Sequence, residues 1–180
     1  KRIYISSRNR NIAKKLANKY SKIKVLNSNQ EIIDKSSTII LGITPNVGNK
    51  ILSKLNFAKN KKIISLISTI NIDKLKNLTK NKNIVRATPL PPIEIKKGPI
   101  IICPPNKFAK DLFKHLGEVI EIKSEKLSYK FWATASIMAA YYEILNVSSN
   151  WLIKKGINKT TANNYIAELF LSLSQDAVNK

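Results

Sequence analysis

Short apolar runs and helical periods take turns through the first 90 residues, and this alternation limits the fold more than any other feature of the chain. Ile3-Tyr4-Ile5 reads as a strand, and Asn9 to Tyr20 follows with Ile12, Ala13, Leu16 and Ala17 at helical spacing. Ile23 to Leu26 is a second strand, and Asn29 to Lys35 a short helix with Asn29 as its expected N-cap. Thr38 to Ile43 is nearly all apolar, as expected of a parallel strand covered on both faces. Val47 to Leu55 reads as helix, Lys62 to Ile67 as strand, Ile72 to Leu78 as helix and Ile84 to Ala87 as strand. Prolines 89, 91 and 92 place Thr88 to Pro92 in an extended loop leaving a strand end. Pro99 to Cys103 and Glu118 to Ile122 are two further strands around a helix at Lys107 to His115. Strands and helices alternating at this spacing imply right-handed crossovers and an open, mostly parallel α/β sheet.

From Ser124 the pattern is helical to the end. Leu127, Phe131, Ala135, Met138, Tyr142 and Leu145 trace one stripe, and Ala162, Tyr165, Ile166, Leu169, Phe170 and Leu173 a second. The expected division is therefore 1–123 and 124–180. The first stripe is too apolar to be left wet and predicts a homodimer, the alternative being packing onto its own sheet.

Composition narrows the function classes. Thirty-two Lys and Arg face eleven Asp and Glu, a net charge of +21, but only four of the cations are arginine and the lysines are spread along the whole chain. Readout of bases and phosphates favours the planar arginine fork, so no nucleic-acid partner is expected, and that reading rests on charge alone. No apolar run approaches the roughly 20 residues that cross a bilayer, so no membrane partner is expected either. No secretory pattern opens the chain, and a cytoplasmic setting is expected. One cysteine, Cys103, and one histidine, His115, exclude an intrachain disulfide and a Cys/His zinc cluster, and no metal site is expected. Cys103 sits in an apolar run as a core thiol, and His115 closes a helix. The carboxylates show no close pair on one helical face, which leaves glycosidase and metal-hydrolase chemistry without its groups. What remains is chemistry carried by a cofactor that the protein binds and orients, and hydride transfer to an iminium fits because such a substrate arrives protonated.

Ligands of open parallel sheets bind beyond the carboxyl ends of the strands, which nominates the loops 6–10, 43–46, 67–70 and 87–92. The first strand ends in Ser6-Ser7-Arg8-Asn9-Arg10, two hydroxyls and two guanidinium groups where NAD-binding folds carry an acid. Such a set suits a phosphate; Ser7 as a helix cap beside solvated arginines is an equal reading of the same residues. No G-x-G-x-x-G occurs among the five glycines, so if Ile3 to Ile5 is the second strand, the pyrophosphate turn is expected upstream of residue 1.

These loops carry a family likeness. The strand followed by Ser7-Arg8-Asn9, the segments Ser28 to Asp34 and Ile39 to Asn46, then Ile64 to Ile70 and Val85 to Pro92, resemble in order the pyrroline-5-carboxylate reductases. The resemblance implies a Rossmann-like, mostly parallel sheet followed by a C-terminal all-helical dimerisation segment. It also implies an NADP cofactor and hydride transfer to the C=N bond of a small imino acid in a proline-forming reaction. By position, Ser7, Arg8 and Asn9 would bind the 2′-phosphate and Asn29 the adenosine side. Ile43, Thr44 and Pro45 would line the pyrophosphate and ribose. Ser68, Thr69, Pro89 and Leu90 would border the nicotinamide, and Thr134, the expected catalytic contact, would face a small imine or carbonyl substrate. The family's Ser-Gly-Ser-Gly-Pro-Ala-Tyr start falls on Ile137 to Glu143, which has none of its glycines or serines. The alternatives are a relative that keeps the fold and dimer without turnover and, suggested by charge alone, a basic nucleic-acid-binding protein.

Overall fold

A computed structural model of the chain describes residues 2–179. Seven strands and eight helices follow one another as β1 (Ile3–Ser6), α1 (Arg10–Lys19), β2 (Ile23–Leu26), α2 (Asn29–Lys35), β3 (Thr38–Leu41), α3 (Pro45–Ile51), β4 (Lys62–Ser65), α4 (Ile72–Thr79), β5 (Ile84–Pro89), β6 (Pro99–Cys103), α5 (Lys107–Phe113), β7 (Glu118–Glu121), α6 (Glu125–Thr134), α7 (Ile137–Lys154) and α8 (Lys159–Val178) among the described residues. The chain forms two compact units that divide between Tyr129 and Lys130, inside α6.

In the first unit β1 and β2 pair in parallel, with Ile3 opposite Ile23. The other strands form one sheet in the order β3-β4-β5-β6-β7. All its neighbours are parallel except β5 and β6, which run antiparallel with Arg86 opposite Cys103. The described strands thus fall into two separate sheets, β1-β2 and β3-β4-β5-β6-β7, with parallel neighbours predominating as in doubly wound folds.

Covering both faces explains the apolar runs. Side chains alternate across a strand, so Ile63 and Ile84 join Leu41, Leu52 and Leu75 on one side. Ile64, Val85, Ile100 and Ile102 meet Ala109 and Phe113 of α5 on the other. Thr38 to Ile43 departs from expectation. The strand ends at Leu41, and it is covered on one face: Ile39 and Leu41 are buried while Ile40 is 52 % exposed. β3 is an edge strand among the described residues of its sheet, which leaves Ile40 open on that face. Pro89 also differs from expectation. It belongs to β5, opposite Ile100, and takes the last rung of the ladder, where a missing N–H interrupts no interior pairing. Only beyond it does the chain turn, in a 3₁₀ segment at Pro91–Ile95.

The second unit is helical. α7 and α8 pack on each other and bury Ser149, Ala162 and Ile166, while much of their apolar surface stays exposed. The stripe expected to run from Leu127 to Leu145 is divided between α6 and α7, because the chain turns at Ala135 and Ser136. No helix among the described residues is long and apolar enough to cross a membrane.

Candidate cofactor and substrate site

The loop after β1 carries the polar corner. α1 begins at Arg10, and its N-cap is Asn9, whose Oδ1 accepts the Ile12 amide at 3.1 Å. Ser7, the cap considered from sequence, is displaced by two residues, and its backbone amide donates instead to the Leu26 carbonyl at 3.2 Å. The Ser7 hydroxyl is therefore not used as the cap. Arg8 and Arg10 are exposed, neither is paired with a carboxylate among the described residues, and the first turn of α1 has no acidic residue. Two unneutralised guanidinium groups thus stand at the positive end of a helix, a setting that stabilises an anion. Ser6, Arg8, Asn9 and Arg10 form the polar wall of a cleft of about 670 Å³ whose apolar wall is Ile5, Ile12 and Leu16. A ligand that carries an anionic group beside a flat apolar one would match such a pairing of walls.

Asn29 lies at the carboxyl end of β2, beside the β1 loop, but it does not cap α2. Ser28 does, its Oγ accepting the Gln30 amide at 3.1 Å, which leaves the exposed Asn29 side chain free of that task. α2 is tied elsewhere: Gln30 exchanges two hydrogen bonds with the Asn56 backbone, at 2.8 and 3.0 Å.

The loops after β3, β4 and β5 meet along adjacent parallel strands. Ile43 and Pro45 are half-buried and Thr44 exposed, with Pro45 at the first position of α3, where its fixed φ suits helix entry. Gly48 on α3 lets the helix close on the next loop. A Cβ there would lie 3.1 Å from Ile70 Cδ1 and 3.3 Å from Ile67 Cδ1. Ser68 is half-buried and Thr69 exposed at the tip of that loop, and Pro89, the last residue of β5, and Leu90, just past it, are half-buried. Thr134 lies in the second unit, exposed on α6, and its hydroxyl donates to the Phe131 carbonyl at 2.7 Å within the helix. What it can offer a ligand is its oxygen lone pairs.

Three residues that the sequence reading passed over meet behind the β4 loop. Arg86, 6 % exposed, directs its guanidinium to the Glu125 carboxylate, to the Tyr129 hydroxyl at 3.2 Å and to the carbonyls of Ile67, at 3.4 Å, and Ser68. The signal available was a lone arginine inside Ile84-Val85-Arg86-Ala87, a strand otherwise apolar.

The remaining reactive groups stand apart from this chemistry. Burial pushes the Cys103 thiol up, with the nearby Glu125 charge adding to the rise and Arg86 opposing it, so Cys103 stays a neutral core thiol. His115 lies exposed in the turn after α5 rather than on the helix. No group of three metal-ligating side chains occurs among the described residues.

Residues 1–71 match the family described as NADP oxidoreductase coenzyme F420-dependent. No curated protein sequence matches the chain. Among solved structures, the chain is similar to 1-pyrroline-5-carboxylate reductase from Streptococcus pyogenes, at 24 % identity and a TM-score of 0.85, covering 99 % of this chain and 71 % of that one. It is also similar to NADP-bound pyrroline carboxylate reductase from Plasmodium falciparum, at 21 % identity and a TM-score of 0.76, covering 88 % of this chain and 64 % of that one. A reductive aminase from Aspergillus terreus, in complex with NADPH and ethyl levulinate, matches at 14 % identity and a TM-score of 0.73, covering 97 % of this chain and 65 % of that one. The chain thus spans about two-thirds of the length of these proteins. It has their fold: a Rossmann-like, mostly parallel sheet followed by helices.

Proposed function

We propose that the chain is an NADPH-dependent reductase that transfers hydride to the C=N bond of a small imino acid, in the manner of the pyrroline-5-carboxylate reductases. The observation that carries this reading is the corner Ser6 to Arg10, two hydroxyls and two unpaired guanidinium groups at the end of β1 with no acid to repel a 2′-phosphate. Reduced nicotinamide supplies the hydride. The chain's own residues bind and orient: Ser7, Arg8 and Asn9 at the extra phosphate, Asn29 at the adenosine, Ile43 to Pro45 along the diphosphate. Ser68, Thr69, Pro89 and Leu90 border the ring, and Thr134 contacts the substrate. Reduction of C=N agrees with the poverty of acid–base groups, because an iminium arrives already protonated and asks for positioning. The protein works as a cytoplasmic homodimer joined through its C-terminal helices, a reading supported by the exposed apolar surface of α7 and α8.

The test is titration with NADPH and NADH, followed by nicotinamide fluorescence. NADPH should bind at least about tenfold more tightly, and Arg8→Ala should remove about that factor, near 1.4 kcal/mol. Equal affinities for the two nucleotides before mutation overturn the assignment. A second reading, a relative that keeps fold and dimer without turnover, is favoured by the start of α7, where Ile137 to Glu143 offers neither glycine nor serine to a carboxylate. Tight NADPH binding without consumption of Δ1-pyrroline-5-carboxylate points to a different imine, and without consumption of any small imine or carbonyl it supports that second reading.

A further inference from the structure

We infer that the buried pair Arg86 and Glu125 is a positioning device that sets the β4–α4 loop against the nicotinamide; the inference rests on the reductase reading above. The loop is gripped from both ends by this one pair. Arg86 Nη2 donates to the carbonyls of Ile67 and Ser68, while the two oxygens of Glu125 accept the Ile72 amide, at 3.1 and 3.2 Å, where α4 starts. Arg86 Nη1 joins the two grips by bonding Glu125 itself. Tyr129 closes the remaining side, its hydroxyl bonded to Nη1 and its ring centroid 5.2 Å from the guanidinium carbon. Between the fixed points only Thr69, Ile70 and Asn71 are left. Ile70 is buried against Gly48, and Asn71 caps α4 through the Lys74 amide at 2.8 Å. Thr69 is therefore held as an exposed tip with little freedom, at the carboxyl end of a central parallel strand.

Stability alone does not call for charges in this place. A buried ion pair is commonly matched or bettered by apolar side chains of similar volume, because desolvation offsets most of the attraction. Apolar groups, however, cannot bond two carbonyls and an amide of the same loop. The planar fork of arginine can reach two acceptors on one side and two on the other, which a lysine cannot. The pair is thus better suited to fixing the loop than to holding the sheet together.

The double variant Arg86→Met/Glu125→Leu separates these roles. We expect it to melt close to the unmutated protein, while amide hydrogen exchange over residues 67–72 rises about tenfold or more and that of α1 and β6 stays unchanged. NADPH affinity should move by less than about threefold, because the Arg8 corner is intact, whereas kcat with Δ1-pyrroline-5-carboxylate should fall about tenfold or more. Arg86→Lys should not restore kcat. If the double variant does not fold, Glu125→Gln, which keeps shape and loses charge, is read by the same measurements. Unchanged exchange in a folded variant overturns the clamp. Raised exchange with unchanged turnover overturns its role in positioning. Failure of the unmutated protein to bind NADPH removes the reductase reading, and the exchange result, which needs no nucleotide, then shows whether the clamp fell with it.

Discussion

The five-stranded sheet and the helix pair α7–α8 are both rich in large apolar residues, yet they treat them in opposite ways. Ile63, Ile64, Ile100 and Ile102 of the sheet are almost wholly buried, whereas Trp151 is 60 % exposed and Leu173 54 %. Coverage makes the difference. A strand inside a doubly wound sheet has helices on both faces, so consecutive residues are buried whichever way they point. Two helices packed as a pair cover one stripe of each other, here the small Ser149 and Ala162 with Ile166, and leave the rest of each circumference exposed. An apolar run therefore does not by itself say how much of it is buried: the inner sheet strands are closed in on both faces, while α7 and α8 leave much of their apolar surface exposed.

The comparison is open to attack from the sheet side first, where the largest effect is expected. Leu75 is fully buried in the cluster beneath β3, β4 and β5. Leu75→Ala should cost about 2–5 kcal/mol, the lost transfer energy plus the cavity left behind, measured as a shift of the urea midpoint. A cost below about 1 kcal/mol would mean that this side of the sheet collapses freely and is no more tightly packed than the helices.

The helix side gives the next effect. If the exposed face of α7 and α8 is a dimer interface, Trp151→Glu should weaken association by about 2–4 kcal/mol, as loss of a buried aromatic anchor does. Sedimentation would then show monomers at concentrations where the unmutated protein is dimeric, with helix content unchanged. A monomeric unmutated protein at every concentration would instead leave those residues as ordinary wet surface, with no second chain to cover them.

How much of this was legible beforehand follows the same line. Runs such as Ile100-Ile101-Ile102 announce strands because every face of them is apolar, and Ala162 and Ile166 keep helical spacing for a neighbour one helix away. Helix starts were harder. Ser28 and Asn29 are both capable caps, and the backbone chose the earlier one; at α1 the later Asn9 prevailed over Ser7. The turn at Ala135 and Ser136 left no mark because the helical period continues across it. Least legible was the Arg86 cluster, since its carboxylate lies 39 residues away and its other acceptors are backbone carbonyls, which no side-chain pattern records. The loop residues Ser68 and Thr69 could be named from the family likeness, while what holds them could be found only in three dimensions.

The smallest effect lies on the rim of the sheet, where polar contacts replace packing. Glu121 at the end of β7 accepts from Lys110 Nζ at 2.8 Å and from the Asn106 amide at 3.0 Å. The hydrogen bond from Lys110 holds its carboxyl below the ordinary value of 4.5, with the Asn106 amide and the charge of Lys110 helping and partial burial opposing. A carboxyl whose pKa is lower in the folded state binds its proton more readily when unfolded, so it contributes stability above the unfolded value and loses it as pH falls through the folded one. Glu121→Gln should therefore lower the melting temperature slightly at pH 7, and the gap from the unmutated protein should close as pH drops below about 4. Salt should narrow the same gap at neutral pH, because the lysine is half exposed and its attraction is screened. A gap that persists unchanged into acid would assign the effect to the shape of the side chain rather than its charge, and the rim would then resemble the packed interior after all.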